Sequence, residues 1–138
     1  MKQGSSVLLV SAGGGTHAAL RNVLKDTGVD VHFAGSCAEA QKILNDLKIP
    51  AVLFADTDLP DGTWMDVLAL AKRAHQRVPV VVVSRVVDVN LYITTLESGA
   101  SDFIVPPFYR QDISHVLQCA ARTGKAGEHF CMPGVAAA

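Results

Sequence analysis

The sequence of 138 residues carries no large excess of charge of either sign. Twelve lysines and arginines stand against thirteen aspartates and glutamates, which gives a formal net charge of −1 with histidine neutral. Proteins that bind nucleic acid through its phosphates concentrate basic side chains in a patch, and no such patch is evident along this chain. We therefore expect no direct binding of nucleic acid.

Long apolar runs are missing as well. The longest, Val78–Val83, is interrupted by Pro79 and is far shorter than the roughly 20 residues that cross a bilayer. The first residues lack the charged segment and long apolar stretch of a signal peptide. Cys37, Cys119 and Cys131 are widely spaced and odd in number, which fits a reduced compartment better than a disulfide framework. The expectation is a cytoplasmic protein without a membrane segment.

The apolar residues that are present fall into five short segments. Apolar side chains make up 49% of the chain and charged ones 18%, as in a folded globular protein, and the length suits one domain. Several segments are almost continuous in Val, Leu, Ile, Phe or Ala, which is typical of parallel strands buried on both faces. The predicted strands are Ser6–Val10, Val31–Ala34, Ala51–Ala55, Val80–Ser84 and Phe103–Val105.

An amphipathic stretch follows each predicted strand. Apolar side chains recur at helical spacing in four of these stretches, whereas the one about Val89–Ser98 is the least clearly patterned. Ser36 and Glu39 predict a capping box at the start of the second helix. Five alternating strand–helix units predict an α/β fold with a five-stranded, parallel, doubly wound sheet. This domain is expected to span residues 1–122, with a loose tail or linker at 123–138, where Gly, Ala and Pro follow no period.

Ligands of doubly wound sheets bind beside the carboxyl ends of the strands. At the end of the third predicted strand stands Asp56, a carboxylate placed to act as a ligand or a nucleophile. The tight turn of Pro60–Gly62 follows it, and the fourth strand ends in Ser84. The loops expected at this edge are residues 11–15, 56–63, 84–88 and 106–110.

The first of these loops contains Gly13, Gly14 and Gly15. With the next three residues it fits the G-x-G-x-x-A pattern of dinucleotide-binding turns between a strand and a helix. The acidic residue that such sites place after the second strand is missing, since Phe33–Ser36 contains none. Nucleotide binding by a Rossmann-like module is therefore the lesser alternative. The other interpretation is a flexible turn in which Thr16 caps the first helix.

Four motifs resemble the receiver domains of two-component response regulators. They are Asp-x-x-Leu-Pro at 56–60, the Val run closed by a hydroxyl at Ser84, Gly-Ala-x-Asp-Phe at 99–103, and Pro-Phe at 107–108. Their joint order and spacing cover nearly the whole chain. The resemblance implies the five-stranded, flavodoxin-like (βα)5 receiver fold and a place in a bacterial phosphorelay.

In that family a histidine kinase or phosphotransfer protein passes a phosphoryl group to an aspartate, which corresponds here to Asp56. The resemblance implies that Ser84 hydrogen-bonds the phosphoryl group and that the ring of Phe103 repacks as the switch. A Mg²⁺ ion neutralises the transferring oxygens, and its ligands are an acid pair after the first strand, the phosphoacceptor and the carbonyl of Asp58. A lysine and a cis peptide bond precede the proline that corresponds to Pro107.

This sequence departs from the family pattern at the positions that carry charge. Ser11 and Ala12 stand where the acid pair is expected, and Pro106 stands where the lysine is expected. Arg85 replaces a small residue after the hydroxyl, and Trp64 replaces a common glycine. Coulomb terms between close partners amount to several kcal/mol, so these losses should weaken both metal binding and phosphoryl transfer.

With these departures the resemblance predicts an atypical receiver, or pseudo-receiver. Weak Mg²⁺ binding through Asp56 and Asp58 is expected, and no other cofactor. The chain is expected to be non-enzymatic and to signal by contact with an output or partner protein, with a homodimer through the fourth and fifth helices near Val86–Leu96 and Ile113–Leu117. A conventional receiver phosphorylated on Asp56 is the alternative. Arg85 is expected either to pair with Asp56 and lock one state, or to be solvated.

Overall fold

The computed structural model describes residues 6–46, 50–73 and 78–126. Strands and helices alternate in the predicted order, with a short hairpin inserted after the third strand. The strands are β1 Ser6–Val10, β2 Asp30–Ala34, β3 Val52–Asp56, β4 Asp58–Leu59, β5 Gly62–Thr63, β6 Val80–Val83 and β7 Asp102–Ile104. The helices are α1 Gly15–Asp26, α2 Cys37–Asp46, α3 Trp64–Arg73, α4 Val89–Glu97 and α5 Arg110–Ala126.

A five-stranded parallel sheet lies at the centre of the fold, with strand order β2-β1-β3-β6-β7. The middle strand is β3, and every residue of β3 and of β6 is buried. Their branched and aromatic side chains suit strands that helices cover on both faces. The prediction of an α/β, doubly wound sheet is confirmed. The strand order reverses between β1 and β3, and this is the place where such sheets bind ligands.

Two apolar clusters hold the helices against opposite faces of the sheet. One contains Leu8 and Leu53 with side chains of α2 and α3, and the other contains Leu9 and Phe54 with side chains of α1 and α5. Successive strand residues point to opposite faces, which is why chain neighbours enter different clusters. Trp64, at the start of α3, is 5% exposed and belongs to the first cluster. It therefore covers the core.

The element ends differ slightly from the sequence prediction. β3 runs one residue further than predicted and includes Asp56, while β7 starts one residue earlier and includes Asp102. The hairpin of β4 and β5 is not predicted, because strands of two residues show no periodicity. α5 continues to Ala126, past the predicted domain boundary at 122, which stays a prediction, and the predicted tail from 127 onwards lies outside the described residues.

The helix starts show which predicted caps form. Gly14 is the N-cap of α1 and no side chain caps this helix, so the interpretation of Thr16 as a cap is wrong, because Thr16 already lies within the first turn. At α2, Ser36 Oγ accepts the N–H of Glu39 at 3.2 Å. Glu39 Oε1 accepts the N–H of Gly35 at 2.6 Å. A complete capping box would use the N–H of Ser36 instead, so the second hydrogen bond comes from the preceding residue.

The hairpin contacts α2 through Asp61, which lies between β4 and β5. Its carboxylate accepts the backbone N–H of Cys37 at 2.8 Å and that of Ala38 at 3.1 Å. Helix starts leave such donors without intrahelical partners, so the carboxylate caps α2 from another part of the chain. The same two hydrogen bonds hold the pKa of Asp61 below its usual value.

The helices and the cysteines bear on the expectation of a protein without a membrane segment and with reduced cysteines. No helix among the described residues is long and apolar enough to cross a membrane. Cys37 is a free thiol, and burial, followed by its hydrogen bond to Asp61, raises its pKa to about 11. Cys119 is disulfide-bonded, which differs from the expectation of reduced cysteines. Cys131 lies outside the described residues.

Candidate functional site

Asp56 ends β3 at the carboxyl edge of the sheet, between β1 and β6. The residue is 6% exposed, so its immediate neighbours and not bulk solvent determine its environment. Oδ1 accepts the backbone N–H of Thr57 at 2.7 Å, and Oδ2 accepts the hydroxyl of Ser11 at 3.4 Å. The hydrogen bond to Oδ2 is thus the longer and weaker of the two.

Ser11 follows β1, where the resemblance places the first metal-binding acid. Its hydroxyl donates to Asp56 Oδ2 and accepts the N–H of Gly13 at 3.1 Å. Ala12 beside it is exposed and has no ligating side-chain atom. Gly13 and Gly14 adopt positive φ angles of 113° and 103°, which turn the chain sharply into α1. The glycines shape this turn, and nucleotide binding by it stays a prediction.

Arg85 reaches towards the Asp56 carboxylate from the loop after β6. Its Nη2 lies 3.8 Å from Asp56 Oδ2, although 65% of its side chain is exposed. Of the two expectations for Arg85, the structure has the paired arrangement. Because the guanidinium is largely solvated, its attraction to the carboxylate is screened and modest. It nevertheless places a permanent positive charge beside Asp56.

Ser84 is buried directly after β6, the neighbour of β3 in the sheet. Its hydroxyl donates to the carbonyl of Val86 at 2.8 Å and accepts the Val86 N–H at 3.3 Å. Such local bonds are common for serine in turns. The hydroxyl therefore closes a turn in its own loop and makes no hydrogen bond to Asp56 in this conformation.

Phe103 on β7 is half-buried and packs against the cluster that contains Leu8 and Leu53. Its ring meets the ring of Tyr92 in α4 edge to face, with centroids 5.6 Å apart and planes at 68°. The predicted switch aromatic thus links β7 to α4, the helix that follows the Arg85 loop.

The remaining predicted residues make contacts of their own. Asp58 is exposed, and its Oδ2 accepts the hydroxyl of Thr57 at 3.4 Å. The peptide bond between Pro106 and Pro107 is cis, as the resemblance implies. The described residues contain no group of three or more His, Cys, Asp or Glu side chains that could hold a metal ion. The predicted site residues that contact one another are Ser11, Asp56 and Arg85.

His17 is a neighbour of the site that the sequence analysis does not single out. It lies in the first turn of α1 and lines a cavity of about 10 Å³ together with Asp56 and Ser11. Its ring packs on that of Phe33, with centroids 5.5 Å apart. Burial and then the charge of Arg21 lower the pKa of His17, while the charge of Asp56 acts in the opposite direction. Its place just after the glycine turn is the sequence signal that could have identified it.

Comparison with known proteins finds a family model that matches most of the chain. Residues 7–118 match the family model of the response regulator receiver domain. The luminescence regulatory protein LuxO of Vibrio campbellii is 31% identical over 90 residues, which are 65% of this chain and 20% of LuxO. The cell cycle transcriptional regulator CtrA of Caulobacter vibrioides is 24% identical over 119 residues, which are 86% of this chain and 51% of CtrA. The chain thus spans a fifth to a half of these relatives.

Solved structures share the fold. The receiver domain of NtrX from Brucella abortus superposes with a TM-score of 0.75 at 25% identity, covering 85% of this chain and 98% of that one. A response regulator receiver domain protein from Clostridium thermocellum also gives a TM-score of 0.75, at 20% identity, and covers 88% and 98%. At this identity the second likeness concerns the fold alone.

Proposed function

Because the chain belongs to the response regulator receiver family, we propose that it is an atypical receiver, which signals by protein–protein contact without regulated phosphorylation. Receiver domains of two-component signalling interact with histidine kinases or phosphotransfer proteins, and this chain is a member of that signalling class. The proposal includes that the chain is not itself an enzyme, that it requires no cofactor and that it acts in the cytoplasm.

The position of Arg85 carries this proposal. A phosphorylatable receiver uses Mg²⁺ to neutralise charge at its aspartate, and Mg²⁺ requires hard oxygen ligands in near-octahedral geometry. Here Ser11 and Ala12 provide one hydroxyl in place of two carboxylates, and the guanidinium of Arg85 lies 3.8 Å from Asp56 Oδ2. A permanent cation at this distance repels a second one. The residues present therefore do not fit a Mg²⁺ ion.

The contact surface that we propose begins directly after Arg85. In this loop and in α4, four aliphatic side chains are between 46% and 76% exposed: Val86, Val87, Val89 and Ile93. No charged residue occurs in α4 before Glu97. Clustered exposed apolar side chains of this kind are typical of protein interaction surfaces. We propose that a second copy of the chain binds here, across α4 and α5.

Titration with Mg²⁺, with and without beryllofluoride, tests whether Asp56 still acts as a phosphoacceptor. The backbone N–H of Trp64 donates to the carbonyl of Thr57 at 3.3 Å, so the backbone of this single tryptophan is tied to the residue after Asp56 and its fluorescence serves as the reporter. We expect no change on addition of beryllofluoride. Asp56→Asn is the control. A saturable change that Asp56→Asn abolishes would contradict the proposal and establish a conventional receiver.

A further inference from the structure

The Asp56 carboxylate has a neighbour on α1 that the proposed function does not use. Successive residues of a strand point to opposite faces of a sheet, so Asp56 points to the same face as Phe54. The apolar cluster that contains Phe54 also contains Leu20 of α1, so α1 covers this face. His17 lies three residues before Leu20 and therefore on the same side of the helix, towards Asp56.

A small cavity lies between α1 and the Asp56 carboxylate. It has a volume of about 10 Å³, and the polar residues that line it are Ser11, Thr16, His17 and Asp56. This is about the space that one water molecule requires, and a buried water is held where two or more polar groups surround it. The cavity therefore has both the size and the lining of a site for a single water molecule.

The His17 ring has a buried nitrogen that lacks a partner. Nδ1 makes no hydrogen bond to any of the described residues, although buried polar atoms are nearly always paired. The ring also packs against that of Phe33, with centroids 5.5 Å apart and planes at 36°. The ring is thus held between an aromatic side chain and a polar cavity.

Two charges act on the His17 ring. Burial is the main cause that lowers the pKa of His17, the charge of Arg21 one turn along α1 lowers it further, and the charge of Asp56 raises it. Arg85 approaches Asp56 Oδ2 from the loop after β6. The residues that β1, β2 and α5 present on this face of the sheet carry no charge: Ser11, Phe33 and Ile113. Asp56 is therefore the negative charge to which a protonated His17 responds.

We propose that His17 is a proton-dependent counter-charge of Asp56, which acts through one water molecule bound in the cavity. When the neutral ring takes up a proton from solvent, both of its nitrogens become donors. Nδ1–H then donates to the water, and the water donates to Asp56 Oδ2. A hydrogen bond from a charged donor is about twice as strong as one from a neutral donor, so acidification strengthens this bridge.

Protonation of His17 would place a cation on each side of the Asp56 carboxylate. Arg85 contacts the same oxygen from its exposed loop, and the two cations would repel each other and share one negative charge. The pair of Arg85 and Asp56 therefore weakens on acidification. Val86 and Val87 follow Arg85 directly, so a partner would meet a different arrangement of the loop. This consequence rests on the proposed contact function, whereas the coupling of His17 to Asp56 does not.

The pH dependence of the histidine ring proton signals tests the coupling. We expect His17 to titrate below the usual 6.5, and the amide signal of Thr57, whose N–H donates to Asp56 Oδ1, to show an inflection at the same midpoint. In Asp56→Asn the His17 midpoint should fall by about half to one pH unit, because the charge that favours the protonated ring is lost.

The water bridge has a direct readout in the same sample. A nuclear Overhauser effect is expected between the ring protons of His17 and a bound water molecule. Absence of this effect overturns the bridge.

Asp58→Asn is the matched control, because it removes the same charge two residues away from an exposed side chain outside the cavity lining. It should leave the His17 midpoint unchanged, and the exposed His32 provides a reference signal in every spectrum. His17→Gln should abolish the Thr57 inflection. A His17 midpoint that falls no further in Asp56→Asn than in Asp58→Asn overturns the coupling, as does a Thr57 inflection that persists in His17→Gln. None of these measurements involves Mg²⁺ or beryllofluoride, so the coupling and the proposed function fail separately.

Discussion

Arg85 and Asp56 differ in exposure, since 65% of the arginine side chain and 9% of the aspartate side chain meet solvent. Screening limits the energy of such a pair to below about 1 kcal/mol. We expect Arg85→Ala to lower the free energy of unfolding by about 0.5 kcal/mol, and to have no effect once Asp56→Asn has removed the partner charge. Thermal unfolding of the four proteins in this cycle measures the difference.

Arg110→Ala provides a matched control for this cycle. Arg110 is also exposed, but it begins α5 and forms no ion pair among the described residues. Its replacement should have the same effect with and without Asp56→Asn. If Arg85→Ala also has the same effect in both backgrounds, Arg85 and Asp56 are not coupled, and the support that their pairing gives to the proposed function disappears.

Burial raises the pKa of Asp102, which makes stability depend on pH. Its value of about 7 lies above the usual 3.8, so the folded state binds this proton more tightly than the unfolded state. The stabilising contribution is therefore complete below about pH 4 and is lost as the pH rises through about 7. We expect Asp102→Asn to stabilise the protein by about 2–4 kcal/mol at about pH 8, and much less at about pH 4. Urea unfolding measures the free energy of unfolding of Asp102→Asn and of the unsubstituted protein at both pH values. The same difference between the two proteins at both pH values would contradict the prediction.

The positions of the site residues could be predicted from sequence, but the directions of their side chains could not. Asp56 and Ser84 lie at strand ends, so the order of strands determines where they stand. The hydroxyl of Ser84 follows the backbone of its own loop, and the reach of Arg85 depends on rotamers, which no sequence pattern encodes. The spacing of histidines along the chain does not show that His17 lies near Asp56, and only its place just after the glycine turn points to this.

The turn before α1 allows a comparison of two adjacent glycines. Gly14 has φ 103° and ψ −179°, a region almost restricted to glycine, whereas Gly15 has no positive φ. Neither would bring an added Cβ within 4 Å of a neighbour. We expect Gly14→Ala to lower the free energy of unfolding by about 1–3 kcal/mol, and Gly15→Ala to leave it unchanged or raise it by up to about 1 kcal/mol. Urea unfolding measures both changes. If the two substitutions lower the free energy of unfolding equally, backbone strain at Gly14 is not the cause.

The elements differ in how well their sequences predict them. β3 and β6 could be predicted to within a residue, because burial on both faces makes them almost continuously apolar. α4 is less clear, because its apolar side chains are divided between the core and solvent, with Leu91 packed inside and Val89 and Ile93 outside. The exposed apolar side chains that make the pattern of α4 irregular are therefore the same ones that support the proposed contact surface.

At the scale of the whole molecule, a net charge of −1 opposes self-association only weakly. We expect a concentration-dependent dimer in sedimentation velocity experiments. Val87→Asp should leave the chain monomeric, because it places a charge at the most exposed of the four aliphatic side chains, at 76%. A specific dimer of this kind buries about 1,200–2,000 Å² in total, and an unpaired charge at its centre is unfavourable.

Met65→Asp is the control for the dimer. Met65 is 56% exposed and belongs to α3, not to α4 or α5, so its replacement should preserve the dimer. A wild-type chain that stays monomeric at high concentration would contradict the self-association proposal. Equal loss of the dimer in both variants would show that any added negative charge is sufficient and that α4 is not the interface.

The hydrogen bonds from Cys37 and Ala38 to Asp61 connect α2 to the loop that follows Asp56. Each joins residues 23 or 24 positions apart in the chain. The resonance frequency of an amide proton depends on the strength of its hydrogen bond. Two amide signals of α2 therefore serve as a natural spectroscopic reporter of the Asp56 loop, and they allow its rearrangements to be followed without a probe attached to the loop itself.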